Sequence, residues 1–241
     1  MIPYIRLEVR KMLRDTGYVT MGLAVPLIMY LLFTTLAIPA EDRPEGALWS
    51  MIGLAAYGAL GGAFSNGTGT AEDKSLGWLR QLRLTPLTPW QVISGKTATA
   101  AIIVVPSIAL VLSAGAFVNQ VRLDPTQWIA VIALLWAGTI PFSLLALGNG
   151  YLLSPQNAAA ANLAGYIGLS VIGGLWFPTN NLPGWLGTAA TWSPVHGYAN
   201  LSWSVAFDHA PNPRSALVLL AWSAAFAAYA RYGYLRSARM V

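Results

Sequence analysis

Six apolar stretches, at 18–38, 47–70, 94–117, 128–153, 158–177 and 214–232, fix what this chain can fold into. Each is close to the roughly 20 residues a helix needs to cross the hydrocarbon of a bilayer. Backbone inside hydrocarbon must satisfy its own N–H and C=O groups, so the stretches read as α-helices. The remainder of the 241 residues is short, polar or Pro-rich breaks, and one membrane domain, 1–241, accounts for the whole. With 56 % hydrophobic and 10 % charged residues the chain lies outside the range of soluble domains of this size. The expected fold is an all-α membrane protein with six transmembrane helices, an N-terminal amphipathic interfacial helix and an outer re-entrant segment before the last span.

Basic residues set the orientation. An even number of spans puts both termini on one side, and that side collects Arg6, Arg10, Lys11, Arg14, Lys74, Arg80, Arg83, Lys96, Arg231, Arg236 and Arg239. Only Arg43, Arg122 and Arg214 fall opposite. Lys and Arg concentrate in cytoplasmic loops, so both ends are expected in the cytoplasm. The net charge of +5 is accounted for by topology, and no basic run calls for nucleic acid. The first fifteen residues are charged and amphipathic, unlike a cleavable signal, and are expected to be retained. There is no cysteine, which excludes disulfides, thiolate metal sites and cysteine nucleophiles.

Two segments outside the spans carry structure of their own. Within 1–16, Ile2, Ile5, Val9, Met12 and Leu13 share one helical face, and Arg6, Arg10 and Arg14 form a stripe beside it. Such a helix lies on the membrane surface. Segment 178–213 is rich in Trp, Pro and Gly and uncharged until Asp208, too apolar for a free loop. Short helices dipping into the outer leaflet are expected there.

Several motifs are decoys. Ser94-Gly95-Lys96-Thr97 looks like the end of a phosphate-binding loop, but the position that needs the first glycine is Trp90. His196 and His209 have no partner cluster with metal-ligand spacing. Ser170 could be a membrane nucleophile, yet no span contains a histidine to serve as its base. The spans also hold no ionisable group away from their ends, so a proton relay has nothing to run on.

What the spans do hold is small and neutral polar residues. Gly58, Gly62, Ser65 and Asn66 in the second span, and Asn162, Tyr166 and Ser170 in the fifth, are the candidates for tight helix packing or for lining a translocation path. Between the second and third spans, 71–90 reads AEDKSLGWLRQLRLTPLTPW, a short mixed helix ended by Pro86 and Pro89. So brief an element suits docking, with Glu72, Asp73, Lys74, Trp78, Arg80, Leu82 and Arg83 as the candidate contacts.

The run LTPLTPWQVISGK resembles the first cytoplasmic loop of the ABC-2 family of ABC-transporter permeases. The amphipathic start, the six spans, the outer WFPTNNLPGWL stretch and the later WSPVHGY resemble the same family over nearly the whole chain. A glutamate-rich opening of the loop is missing, and Glu72-Asp73-Lys74-Ser75 stands in its place. The resemblance implies a transmembrane subunit of a bacterial ABC exporter in the cytoplasmic membrane, paired with a second permease copy or paralogue. It also implies separate ABC ATPase subunits that bind ATP and Mg, with no cofactor in this chain. ATP-driven closure of those subunits would push the 71–90 loop and the N-terminal helix. Apolar spans suit a hydrophobic or amphipathic substrate such as a drug, an antibiotic, a lipid or a lipid-linked glycan. A membrane-integral enzyme acting on lipids, or a non-transporting scramblase or assembly subunit, is the alternative class.

Overall fold

The computed structural model describes residues 18–39, 41–77, 88–177 and 184–239. Among these every regular element is helical. The first, α1 (Val25–Leu32), is extended at both ends by wider, π-wound turns, Tyr18–Ala24 and Phe33–Ala37. Then come α2 (Arg43–Ser75), α3 (Pro89–Ile103), α4 (Val105–Phe117), α5 (Pro125–Ala137), α6 (Ile140–Leu152), α7 (Pro155–Ile172), α8 (Gly184–Thr191), α9 (Pro194–Ala206) and α10 (Pro213–Arg239). Among the described residues four helical stretches are long and apolar enough to cross a membrane: Arg43–Ser75, Pro89–Phe117, Pro125–Leu152 and Pro213–Ser237. Gly22–Ala37 is a shorter apolar helix.

Proline and capping chemistry start these helices. Proline occupies the first turn of every helix from α2 to α7, where its missing N–H has no partner to lose. Thr88 and Gln91 form a reciprocal capping box at α3, with the Thr88 N–H donating to Gln91 Oε1 at 2.8 Å. Asp124 N–H donates likewise to Gln127 Oε1 at α5.

Glycine ends two of them. After α7, Leu175 N–H bonds the Ser170 carbonyl and Gly174 N–H the Val171 carbonyl, and Gly174 takes a φ of +77°. That is a Schellman ending, and it stops the fifth apolar stretch at Ile172 instead of 177. Gly77, at φ +82°, ends α2 in the same left-handed conformation. Helix α2 therefore runs to Ser75, into a segment the sequence pattern assigns to a loop.

Two spans break in the middle. Pro106 separates α3 from α4 and Pro141 separates α5 from α6. The polar groups around the breaks are satisfied from neighbours: Trp136 Nε1 donates to the Ala101 carbonyl at 2.7 Å, and Thr139 Oγ1 to that of Trp136 at 2.7 Å.

Helix α2 is the staff of the bundle. Of its most apolar window 89 % is buried within the protein, against 22 % for α10, so α2 is shielded by the other helices and α10 presents most of its surface outward. Its small residues set how closely neighbours come. A Cβ at Gly58 would meet Ser107, Pro26 and Gly22, one at Gly67 would fall on the Ala146 backbone, and one at Gly150 on the Gly67 carbonyl. Backbones of α2 and α6 thus touch directly. The Gly58 side of the Gly-x-x-x-Gly pair faces α1 and α4 of the same chain, and Gly62 is buried with it.

Helix α9 lies beside the middle of the Pro125–Leu152 span. Tyr198, in its first half, donates its hydroxyl to the Leu135 carbonyl at 2.8 Å and packs against Gly138. Its last turn rises to the start of α5, where Gln127 Nε2 donates to the Val205 carbonyl.

Candidate coupling and transport site

The candidate residues divide between the Ser75 end of α2 and the interior of the bundle. At the Ser75 end, helix geometry sends consecutive residues in different directions. Glu72 is exposed. Asp73 turns inward, and its Oδ2 accepts from Lys96 Nζ at 2.7 Å, with Lys96 only 3 % exposed. Lys74 reaches the end of α6, where Nζ donates to the carbonyls of Tyr151 at 2.8 Å and Leu153 at 2.6 Å. An ammonium at a helix C-terminus meets the negative end of the backbone dipole and two carbonyls that lack helical donors. Ser237 of α10 donates to the same Tyr151 carbonyl.

The last turn of α2 is therefore tied to α3 by an ion pair and to α6 by a cap. Asn66 adds to the first tie, donating Nδ2 to the Lys96 carbonyl at 3.3 Å. The 94–97 tetrapeptide lies inside continuous helix, with the Lys96 ammonium used in this ion pair. Trp78, Arg80, Leu82 and Arg83 of the expected contact, and Arg6, Arg10 and Arg14 of the amphipathic helix, lie outside the described residues.

One to two turns further into the bundle a neutral polar chain crosses four helices. Tyr229 on α10 donates its hydroxyl to Asn149 Oδ1 at 2.9 Å, Asn149 Nδ2 donates to Asn162 Oδ1 at 2.8 Å, and Asn162 Nδ2 donates to Thr68 Oγ1 at 3.1 Å. Asn162 is 2 % exposed, so its pairing removes the cost of burying an amide. Asn149 and Tyr229 are absent from the sequence-derived candidates. Their signal was a polar group in an otherwise apolar stretch, which by itself does not reveal its partner.

Tyr166 stacks on Tyr57 with ring centroids 4.5 Å apart, and Trp176 meets Tyr57 edge-on at 5.3 Å. Ser170 donates to the Tyr166 carbonyl, an intrahelical bond that keeps its hydroxyl from reacting surfaces. Ser65 is half-buried on α2. Thus Asn162 and Tyr166 pack against α2, Asn66 bonds α3, and Gly58 packs against α1 and α4; these candidates are brought together as bundle core around α2.

At the Arg43 end the contacts are aromatic. Trp49 stacks on Trp203 at 5.1 Å, and Trp203 Nε1 donates to the Trp49 carbonyl. Arg214 lies over the Trp192 ring at 4.5 Å. His196 has Nδ1 3.3 Å from the Gly173 carbonyl.

The profile of the ABC-2 type transporter family matches residues 4–204. The chain belongs to that family. A protein of Bacillus subtilis (strain 168) named as a transport permease, YvfS, is 24 % identical over 229 residues, covering 93 % of each chain. A protein of Escherichia coli (strain K12) named as a multidrug ABC transporter permease, YbhR, is 25 % identical over 139 residues, 55 % of this chain and 36 % of that protein. With the four long apolar helices, this makes the chain a multi-pass membrane protein and a transport permease subunit.

Proposed function

We propose that this permease is the membrane half of an ATP-driven exporter, moving a hydrophobic or amphipathic molecule outward across the bacterial cytoplasmic membrane. Drugs, antibiotics, lipids and lipid-linked glycans are the candidate substrates. ATP and Mg are bound by separate ABC ATPase subunits. In this reading the Tyr18–Ala37 helical run and the 18-residue α7 join the four longer spans to make six. The course of α9, from beside the middle of a span at Tyr198 up to the start of α5 at Val205, supports a re-entrant segment on the outer side. The distribution of Lys and Arg supports a cytoplasmic Ser75 end, with both termini beside it.

The observation that carries the reading is the pair of ties on the last turn of α2. A force applied to the segment after Gly77 reaches α3 through Asp73–Lys96 and α6 through Lys74, without first bending a loose loop. This is what a transmission element needs. Glu72 and Leu76, both exposed, remain available to a partner. A second permease copy or paralogue completes the assembly. The exposed face of α7, with Ala160, Ala164 and Gly168 spaced four apart and open space over Gly168, suits close helix approach.

The coupling reading is tested by Trp78→Ala and Leu82→Ala. Each is expected to cost about 2 kcal/mol of docking, since a few apolar anchors dominate most interfaces. Permease should reach the membrane in normal amount while co-purification with the cognate ATPase weakens and export is lost. Arg122→Gln, exposed at the Arg43 end, serves as control, because Gln127 caps α5 and binds α9. Loop mutants that keep both partner and export at the unmutated level would remove the coupling role from this segment and pass it to the N-terminal helix.

A further inference from the structure

At the Arg43 end a cavity of about 410 Å³ opens between the end of the first helical run, the start of α2 and the end of α9. Phe33, Trp49, Trp176, Phe177 and Phe207 supply its aromatic walls, and Glu45 supplies a carboxylate. From this combination we propose that the cavity is an outer binding site for a free lipophilic organic cation, a compact aromatic or aliphatic body carrying one positive charge.

The chemistry of the walls selects that class. Aromatic faces attract cations through the ring quadrupole while burying the apolar body of the same molecule. The carboxylate adds a full charge of the complementary sign and excludes anions. The rings are held in place from behind, which limits the ordering cost of binding. Phe33 and Phe177 pair at 6.0 Å, Trp49 is stacked on Trp203, and Trp176 is set edge-on to Tyr57. The size suits a drug-sized ligand. Glu41, Asp42 and Arg43, just before Glu45 in the chain, are exposed and together carry one net negative charge. The groove between α4 and α5, by contrast, is lined by apolar and aromatic side chains and Ser113 without any ionisable group, as befits a lipid chain.

The proposal rests on the exporter reading and gives that reading a substrate class: the site would hold the cation at the outer end of its route. The test is a pair of ions of matched shape and opposite charge. Saturable binding of tetraphenylphosphonium and of tetraphenylborate is measured on the full chain in nanodiscs, with empty nanodiscs subtracted. Tetraphenylphosphonium is expected to bind at least about tenfold more tightly. Glu45→Gln, an exposed change, should weaken it about fivefold. Phe177→Leu, which keeps apolar area but removes the ring face of a residue 57 % exposed, should weaken it about threefold. Glu45→Gln should strengthen borate binding, because the repelling carboxylate is gone, and Phe177→Leu should not weaken it. Equal binding of the two ions, or phosphonium binding indifferent to both substitutions, overturns the proposal. The assay needs neither ATP nor the ATPase, so such a result would leave the coupling experiment standing, and a failed coupling experiment would leave this measurement intact.

Discussion

Lys96→Met is expected to destabilise the permease by about 3 kcal/mol, because it leaves the inward-turned Asp73 carboxylate without the ammonium 2.7 Å away. The loss would be read as a lower melting temperature in detergent and a smaller yield of monodisperse protein. Asp73→Asn in the same chain should restore stability to within about 1 kcal/mol of the unmutated protein, since replacing both members of a buried pair is far less costly than removing one. That recovery separates an ion pair from a simple loss of side-chain packing. Gly95→Ala supplies the control. Open space surrounds that position, so the change should be neutral or slightly stabilising, whereas glycine beside lysine in a phosphate loop could not be replaced without harm. Equal stability of Lys96→Met and the unmutated chain would dissolve the tie between α2 and α3 on which the transmission argument depends.

The second large effect is expected two helical turns away. Gly67→Ala should destabilise the fold by about 3 kcal/mol, and Gly67→Leu by more, because the added carbon falls on the Ala146 backbone, which cannot move aside as a flexible side chain would. Gly69, two residues on, has nothing near it. Gly69→Ala should therefore be neutral or stabilising by up to about 1 kcal/mol, through helix propensity alone. Thermal unfolding of the three variants in one detergent gives the comparison. A Gly67→Ala protein as stable as Gly69→Ala would contradict the direct contact of α2 with α6.

These two residues also mark where sequence reasoning reaches and where it stops. Apolar length located α2 and the spans either side of it, because hydropathy is a local property and lipid tolerates few alternatives to helix. Pro106 and Pro141 interrupt spans that the apolar pattern reads as continuous, because hydropathy does not register a missing N–H. The early end of α7 was less legible, since Gly173-Gly174 becomes a stop only when Gly174 takes positive φ. Lys96 could be placed near a membrane edge by its charge, but its pairing with Asp73 spans 23 positions and depends on how α2 and α3 cross. Lys74 was assigned with Glu72 and Asp73 as one docking set. Rotation of 100° per residue separates them into an outward carboxylate, an inward ion pair and a cap on α6. The Tyr229–Asn149–Asn162–Thr68 chain was beyond reach for a related reason: each member is an ordinary neutral polar residue until four helices bring them together.

The ties at the Ser75 end and the aromatic cavity at the Arg43 end give the bundle two differently built ends. Charge-assisted bonds fasten the last turn of α2 to its neighbours, so that end is suited to being pushed as a unit. Aromatic stacking and weaker polar contacts hold the other, where α9 and the first helical run meet α2. Stacked rings slide at lower cost than buried ions separate, so opening is expected at the Arg43 end.

On the proposed reading, this permease moves its substrate only when a separate ATPase supplies the work. Reconstitution of the purified permease with its cognate ATPase in proteoliposomes tests it most directly, with tetraphenylphosphonium transport followed as a function of added ATP. Transport is expected to require both proteins and ATP hydrolysis together, to run away from the ATPase-bearing face, and to be lost in Leu82→Ala while the ATPase still hydrolyses. Transport of equal rate by the permease alone, or ATP hydrolysis by the permease without its partner, would contradict it.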